Sequence, residues 1–254
     1  MLEWDRQRWI VNLSSIRAGP VHLLCFPHAG GGASLFRRWP ALMPPAVQVR
    51  ALQLPGREEK FGERPLMDIG LIAEWAFAEL GTLPALNLAL FGHSMGALVA
   101  FELAHHLKSR GIPVSALIVS ACRAPRTLRP SPDLCLPTDR EITARLREAG
   151  GTPEEVLRNP QLLQALYGTL RADYHAVDSY RCTHGDLLSI PIYAYGGAED
   201  PLVPPDELNA WQDETTASFS LTTLPGDHFY LKNMAPQLCS LVVSHVLQTD
   251  SADR

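Results

Sequence analysis

A single hydroxyl stands between two glycines in Gly92-His93-Ser94-Met95-Gly96, directly after the apolar run Leu86-Asn87-Leu88-Ala89-Leu90-Phe91 and before small residues at helical spacing. A strand that reverses at once into a helix has no room for side chains at the two glycines. It holds the serine in a strained turn with the hydroxyl above the sheet edge. Unpaired amides at the start of the following helix point at the same place and favour negative charge there. The pentapeptide alone recurs by chance. Flanked by a buried strand and a helix, it marks Ser94 as a candidate nucleophile for acyl transfer.

A serine hydroxyl is a weak nucleophile until a base takes its proton and a third group orients that base. In a strand-elbow-helix arrangement the acid and then the histidine follow the serine along the chain. His228 fits the base, in the turn Leu224-Pro225-Gly226-Asp227-His228-Phe229 after the strand-like run Phe219-Ser220-Leu221-Thr222-Thr223. Asp200 fits the orienter: it follows the run Ile192-Tyr193-Ala194-Tyr195-Gly196-Gly197, and Pro201 fixes the loop behind it. Glu199 is the alternative. The strand after the nucleophile helix, Ala116-Leu117-Ile118-Val119, continues as Ser120-Ala121-Cys122-Arg123 and carries no carboxylate. Two amides must hold the oxyanion, and one is that of Met95, next to the nucleophile. The other is assigned to Ala29, in the loop Pro27-His28-Ala29-Gly30-Gly31-Gly32, with His28 and Gly30 as neighbouring alternatives. That loop lacks the Lys-Ser/Thr and the G-x-G-x-x-G spacing of a nucleotide site.

These stretches recur with others: Phe26-Pro27-His28-Ala29-Gly30-Gly31, Leu54-Pro55-Gly56-Arg57-Glu58, Gly150-Gly151-Thr152-Pro153, Leu170-Arg171-Ala172-Asp173-Tyr174 and Pro225-Gly226-Asp227-His228-Phe229. Together they resemble the stand-alone type II thioesterases that accompany polyketide and nonribosomal peptide synthases and animal fatty-acid synthase. The resemblance implies an α/β-hydrolase fold with a mostly parallel sheet flanked by helices. It also implies hydrolysis of acyl groups from the phosphopantetheine arm of acyl or peptidyl carrier domains, by a Ser94-Asp200-His228 triad under a helical lid. A thiol leaves readily, so neither metal nor cofactor is expected. Asp227 departs from the pattern, since many members have a second glycine there. Rival readings are a carboxylesterase or lipase, a product-releasing type I thioesterase domain, and a non-catalytic binding module derived from a hydrolase. Because no carrier domain adjoins the motifs, a stand-alone protein is expected.

The elements that must position these residues alternate between strand and helix patterns, which predicts a parallel sheet covered on both faces. Val21-His22-Leu23-Leu24-Cys25-Phe26 and Gln48-Val49-Arg50-Ala51-Leu52 read as strands, and 68–80 as a helix. The nucleophile helix spans 95–110 with Gly111 as its stop, and Ala97, Ala100 and Ala104 let it lie close to the sheet. A final helix over 231–247 is expected to be interrupted by Pro236. The core is assigned to 1–123 and 187–254.

Residues 124–186 are too long for a simple connection and are read as a helical lid. Helices are expected over 139–149 and from Asn159-Pro160 onward, where asparagine caps and proline takes the first helical position. Leu163, Leu166, Leu170, Tyr174 and Val177 share one face of the second helix. Leu166 and Leu170 are expected to line the acyl chamber. Arg123, Arg126, Arg129, Arg140, Arg145 and Arg147 form either a solvated basic face or a surface for an acidic carrier protein.

Composition limits the alternatives. The 254 residues suit one α/β domain, and a net charge of −5 without blocks of like charge argues against a nucleic-acid partner. Five scattered cysteines form no disulfide framework and no metal spacing. The charged start Met1-Leu2-Glu3-Trp4-Asp5-Arg6-Gln7-Arg8 has no signal-peptide character, and no apolar run is long enough to span a membrane. A cytoplasmic monomer is expected. His22, His175, His184 and His245 show no partners at metal spacing, and His105 and His106 are expected to face water or a carboxylate. His93 is read as buried support.

Overall fold

The computed structural model describes residues 9–14, 19–80, 87–129 and 135–248. The charged start of the chain and Leu86 lie outside them. A seven-stranded sheet forms the centre, in the order β1 (Ile10–Asn12), β3 (Val47–Leu52), β2 (Val21–Phe26), β4 (Asn87–His93), β5 (Val114–Ser120), β6 (Ile192–Gly197), β7 (Phe219–Leu224). Only β1 runs antiparallel to its neighbour, and it is three residues long. Strands buried on both faces read as nearly continuous apolar runs, as β2 (VHLLCF) and β4 (NLALFGH) do.

Helices α1 (Ile69–Leu80) and α2 (Met95–Ser109) cover one face, and α6 (Ala235–Gln248) covers the other. In α2, Ala97, Ala100 and Ala104 are buried in the first apolar layer. Gly111 has φ +67° just beyond its end. Asp68 caps α1 through the Leu71 amide at 2.7 Å. Cys25, Cys122 and Cys239 are buried thiols. Among the described residues no helix is long and apolar enough to cross a membrane.

The last helix corrects the sequence reading. A 3-10 turn at Tyr230–Lys232 comes first, and α6 begins at Ala235. Pro236 therefore lies in the opening turn, where an N–H has no helical partner to lose, so it starts the helix instead of interrupting it.

Between β5 and β6 lie α3 (Asp139–Ala149), α4 (Glu154–Leu157) and α5 (Pro160–Ser179). Thr138 and Glu141 form a reciprocal cap on α3. Asn159 accepts the Gln161 and Leu162 amides at the head of α5, with Pro160 at the first helical position. These helices share a small apolar cluster of Ile142, Leu146, Leu157, Leu163 and Leu170.

Successive crossovers leave β2 in one direction and β4 in the other, so the C-terminal ends of these two adjacent strands flank the point where the strand order reverses. Open α/β sheets bind ligands in that crevice. The glycine-rich loop after β2 and the elbow after β4 both open there.

Candidate active site

Steric need fixes the elbow. A Cβ at Gly92 would lie 2.2 Å from the Gly96 carbonyl oxygen, and one at Gly96 would lie 2.1 Å from the Phe26 oxygen. Ser94 adopts φ +54° and ψ −123°, a conformation costly for a residue with a side chain. Its amide donates to the Ser120 carbonyl at 2.8 Å, which pins the turn to β5.

Three side chains separated along the sequence meet at this turn. His228 Nε2 lies 3.0 Å from Ser94 Oγ, and His228 Nδ1 lies 2.8 Å from Asp200 Oδ2. The other oxygen of Asp200 accepts the Leu202 and Val203 amides at 2.8 and 3.1 Å. Asp200 and His228 are buried, whereas Ser94 is half-buried. Glu199 faces away and accepts the Gly226 amide. Asp227 is occupied in its own turn, accepting from Phe229 at 2.8 Å. The structure therefore joins Asp200, and not its acidic neighbours, to the imidazole.

A second polar layer lies beneath. Nδ1 of the buried His93 is 2.8 Å from Ser120 Oγ, which lies 2.7 Å from the Tyr230 hydroxyl. Burial holds the His93 imidazole well below its ordinary pKa, with the nearby His228 adding to the effect. His28 Nδ1 donates to the Ala29 carbonyl at 2.8 Å, and burial pushes its pKa down to about 4. Both rings stay uncharged at neutral pH. Of the three, His228 is the one hydrogen-bonded to a carboxylate.

Ser94 and His228 open into a cavity of about 440 Å³, which Met95 and Ala29 also line. Its remaining wall combines Leu98, Leu128, Val177 and Val203 with Arg145 and Glu148. Such a space suits an acyl chain beside a nucleophile.

A sequence model described as a thioesterase domain matches residues 21–245. The chain belongs to the thioesterase family. It is 39% identical over 226 residues to the gramicidin S biosynthesis protein GrsT of Aneurinibacillus migulanus, covering 88% of each chain. It is 36% identical over 255 residues to the thioesterase PikA5 of Streptomyces venezuelae, covering 99% of this chain and 90% of that one. Among solved structures, the type II thioesterase BorB from the borrelidin biosynthetic cluster superposes with a TM-score of 0.85 at 38% identity, over 94% of this chain and 97% of that one. This thioesterase thus has the α/β-hydrolase fold and acts on thioesters.

The two leucines expected at the acyl chamber, Leu166 and Leu170, border a space adjoining the one at Ser94. This adjoining cavity measures about 270 Å³, and its wall does not include Ser94. His28, Ala29, Ala149, Tyr174 and Phe229 border both spaces. The helical stripe is real, but α5 turns its Tyr174 and Val177 end, and not its Leu166 end, toward the serine.

Three of the six arginines in the cluster are ion-paired within the thioesterase. Arg123 pairs with Glu207, Arg126 with the buried Glu214 at 2.9 Å, and Arg145 with Asp178 at 2.8 Å. Among the other histidines, His105 meets a carboxylate as expected, its Nδ1 3.9 Å from Asp186 Oδ1, whereas His184 has neighbours that its spacing in the sequence does not show. His105 is buried and stacks on His184 at 3.7 Å, and the two come together with Asp186 at ligand spacing. Their rings are parallel within 4°, so their lone pairs do not converge, and Lys108 already holds Asp186.

Sequence reasoning gave no role to Ser120, Tyr230, Arg57 or Asp173. The last two stand in motifs visible in the sequence, yet their partnership spans 116 residues and leaves no local pattern.

Proposed function

We propose that this thioesterase is an editing, type II enzyme, a monomer of the cytoplasm. It removes acyl groups from the phosphopantetheine arm of acyl or peptidyl carrier domains of a polyketide, nonribosomal peptide or fatty-acid synthase. The observation that carries the reading is the contiguous Ser94-His228-Asp200 contact at the floor of a chain-sized cavity. The relatives' names, from gramicidin S, borrelidin and similar biosyntheses, supply the synthase context.

His228 takes the Ser94 proton as Oγ attacks the thioester carbonyl. The Met95 and Ala29 amides hold the resulting oxyanion, each worth about 3 kcal/mol. Collapse breaks the carbon–sulfur bond, and the thiolate leaves with the proton carried by His228. Water then gives its proton to His228 and attacks the acyl-serine, releasing the acid and restoring the hydroxyl. Asp200 holds the imidazole tautomer and balances its transient charge. Helices α3 to α5 form a lid over the site, and excluding water there strengthens every charge interaction.

The test is hydrolysis of a panel of acyl-loaded carrier proteins, their N-acetylcysteamine analogues and matched oxygen esters. Carrier thioesters should be the best substrates by kcat/KM, and Ser94→Ala should abolish turnover in a folded protein. Oxygen esters turned over as well as thioesters of equal chain length would overturn the reading.

A further inference from the structure

The buried ion pair between Arg57 and Asp173 takes no part in the chemistry described above, and its placement gives it a role. Asp173 lies on α5 and is 0% exposed; Arg57 follows β3 in the Leu-Pro-Gly-Arg-Glu loop and is 5% exposed. The guanidinium meets the carboxylate with both arms, at 2.6 and 2.9 Å. A pair this deeply buried gains little net stability over apolar side chains of similar size. Its other bonds are more specific. Asp173 Oδ2 also accepts the Gly30 amide at 2.6 Å, and Arg57 Nη1 donates to the Gly31 carbonyl at 3.2 Å.

The peptide unit joining Ala29 to Gly30 is thereby gripped at both ends. Asp173 takes its N–H, and His28 Nδ1 donates to its C=O. Gly30 sits at φ +76°, where the left-handed backbone depends on such outside support. Gln53 ties the two loops together, accepting the Ala33 amide at 3.0 Å and donating to the Arg57 carbonyl at 3.1 Å. Thr169, one turn before Asp173, donates to the Gly56 carbonyl. The conformation of Ala29 therefore depends on a carboxylate delivered by the helical insertion.

We infer that Arg57 and Asp173 are positioning residues that set the Ala29 amide in the oxyanion hole, and that the hole is complete only while α5 is seated. This rests on the reading of Ala29 as the second oxyanion donor. When α5 lifts, Asp173 leaves, the Gly30 amide loses its acceptor, and Ala29 is released. Acyl transfer is thus confined to the covered state, where water is excluded.

The decisive variant is Arg57→Met with Asp173→Leu, which removes both charges together and leaves neither buried without its partner. With the butyryl thioester of N-acetylcysteamine, kcat should fall about ten- to a hundredfold with KM changed less than about twofold. Affinity for butylboronic acid, whose serine adduct places an oxygen in the hole, should fall by the same factor as kcat/KM. Arg57→Met with Asp173→Asn, which keeps an acceptor for Gly30 and strands no charge, should lose less. A folded Arg57→Met, Asp173→Leu variant with wild-type kcat and boronate affinity would overturn the inference, as would a loss confined to KM. Native-state hydrogen exchange on the unaltered protein decides the coupling even if both variants misfold. The Gly30 amide should exchange through the same opening as amides 170–177, and exchange independent of α5 overturns the coupling. If Ser94→Ala retains butyryl hydrolysis, the oxyanion reading itself falls. If Ser94→Ala is inactive and Arg57→Met with Asp173→Leu is not, the positioning role alone falls.

Discussion

The rim of the sheet and the helical insertion above it are built by different physics. At the rim, residues from three loops are held by backbone constraint and saturated polar contacts: Ser94 in a strained elbow, Asp200 fixed by two amides, His228 between them. The outer part of the insertion is held by a five-residue apolar cluster and by ion pairs that reach solvent, such as Arg145–Asp178 and Arg171–Asp139, while Ala176, Tyr180 and the buried Asp173 tie its last helix to the core. Exposed pairs of that kind contribute little. The rim is therefore rigid and exact in its chemistry, while the insertion is the part that can adjust to different acyl groups. The contrast teaches that specificity and catalysis are separable here, except where Arg57 and Asp173 join them.

Substitutions can break this contrast in order of expected effect. Asp200→Asn keeps the shape of the rim but favours the wrong imidazole tautomer, so kcat should drop about 10⁴-fold with little change in melting temperature. Steady-state kinetics on a carrier thioester checks this, and a loss below tenfold would show that the orienter lies elsewhere. A second test uses pH. His28 falls from the ordinary 6.5 to about 4 through burial, and His93 falls as well. The unfolded chain then binds more protons than the folded one between about pH 6.5 and 4, so stability is full above pH 6.5 and declines as pH falls through that window. Each ring contributes at most about 1.4 kcal/mol per pH unit. Urea midpoints at pH 7, 5.5 and 4.5 should fall in sequence, and His28→Gln should make the slope shallower.

The smallest effect sharpens the difference between the two cavities. Val177→Trp narrows the space that contains Ser94 and should shift the order of acyl-length preference by a few fold, about 1 kcal/mol per methylene. Leu166→Trp fills the adjoining space and should leave that order unchanged. A common response of both variants across a substrate series would merge the two cavities into one chamber.

The rim was far more legible in the sequence than the insertion, for a physical reason. The elbow, the Ala29 loop and the strand ends carrying Asp200 and His228 are dictated by local backbone sterics, which leave signatures within a few residues. The helix start at Asn159-Pro160 was equally readable, because caps are local, whereas the Thr138–Glu141 cap of α3 was not singled out. The facing of α5 was not legible: a stripe from Leu163 to Val177 shows which side is buried but not which neighbour each residue meets, so it does not tell that Val177 borders the space at Ser94 while Leu166 and Leu170 border the adjoining one. The three-residue β1 offers too short a pattern to detect. The Arg57–Asp173, Arg126–Glu214 and His105–His184 contacts depend on tertiary assembly alone. Arg126 in particular read as a free basic group, although it neutralises a carboxylate that would otherwise be stranded in the interior.

The two collisions that a methyl group would cause on either side of the elbow have an evolutionary corollary. Positions 92 and 96 admit nothing heavier than hydrogen at Cα, because each touches backbone, which has no way to yield. Mutational drift toward new reactions must leave that frame alone and proceed at residue 94 itself, where a sulfur could replace an oxygen, or on the helices overhead.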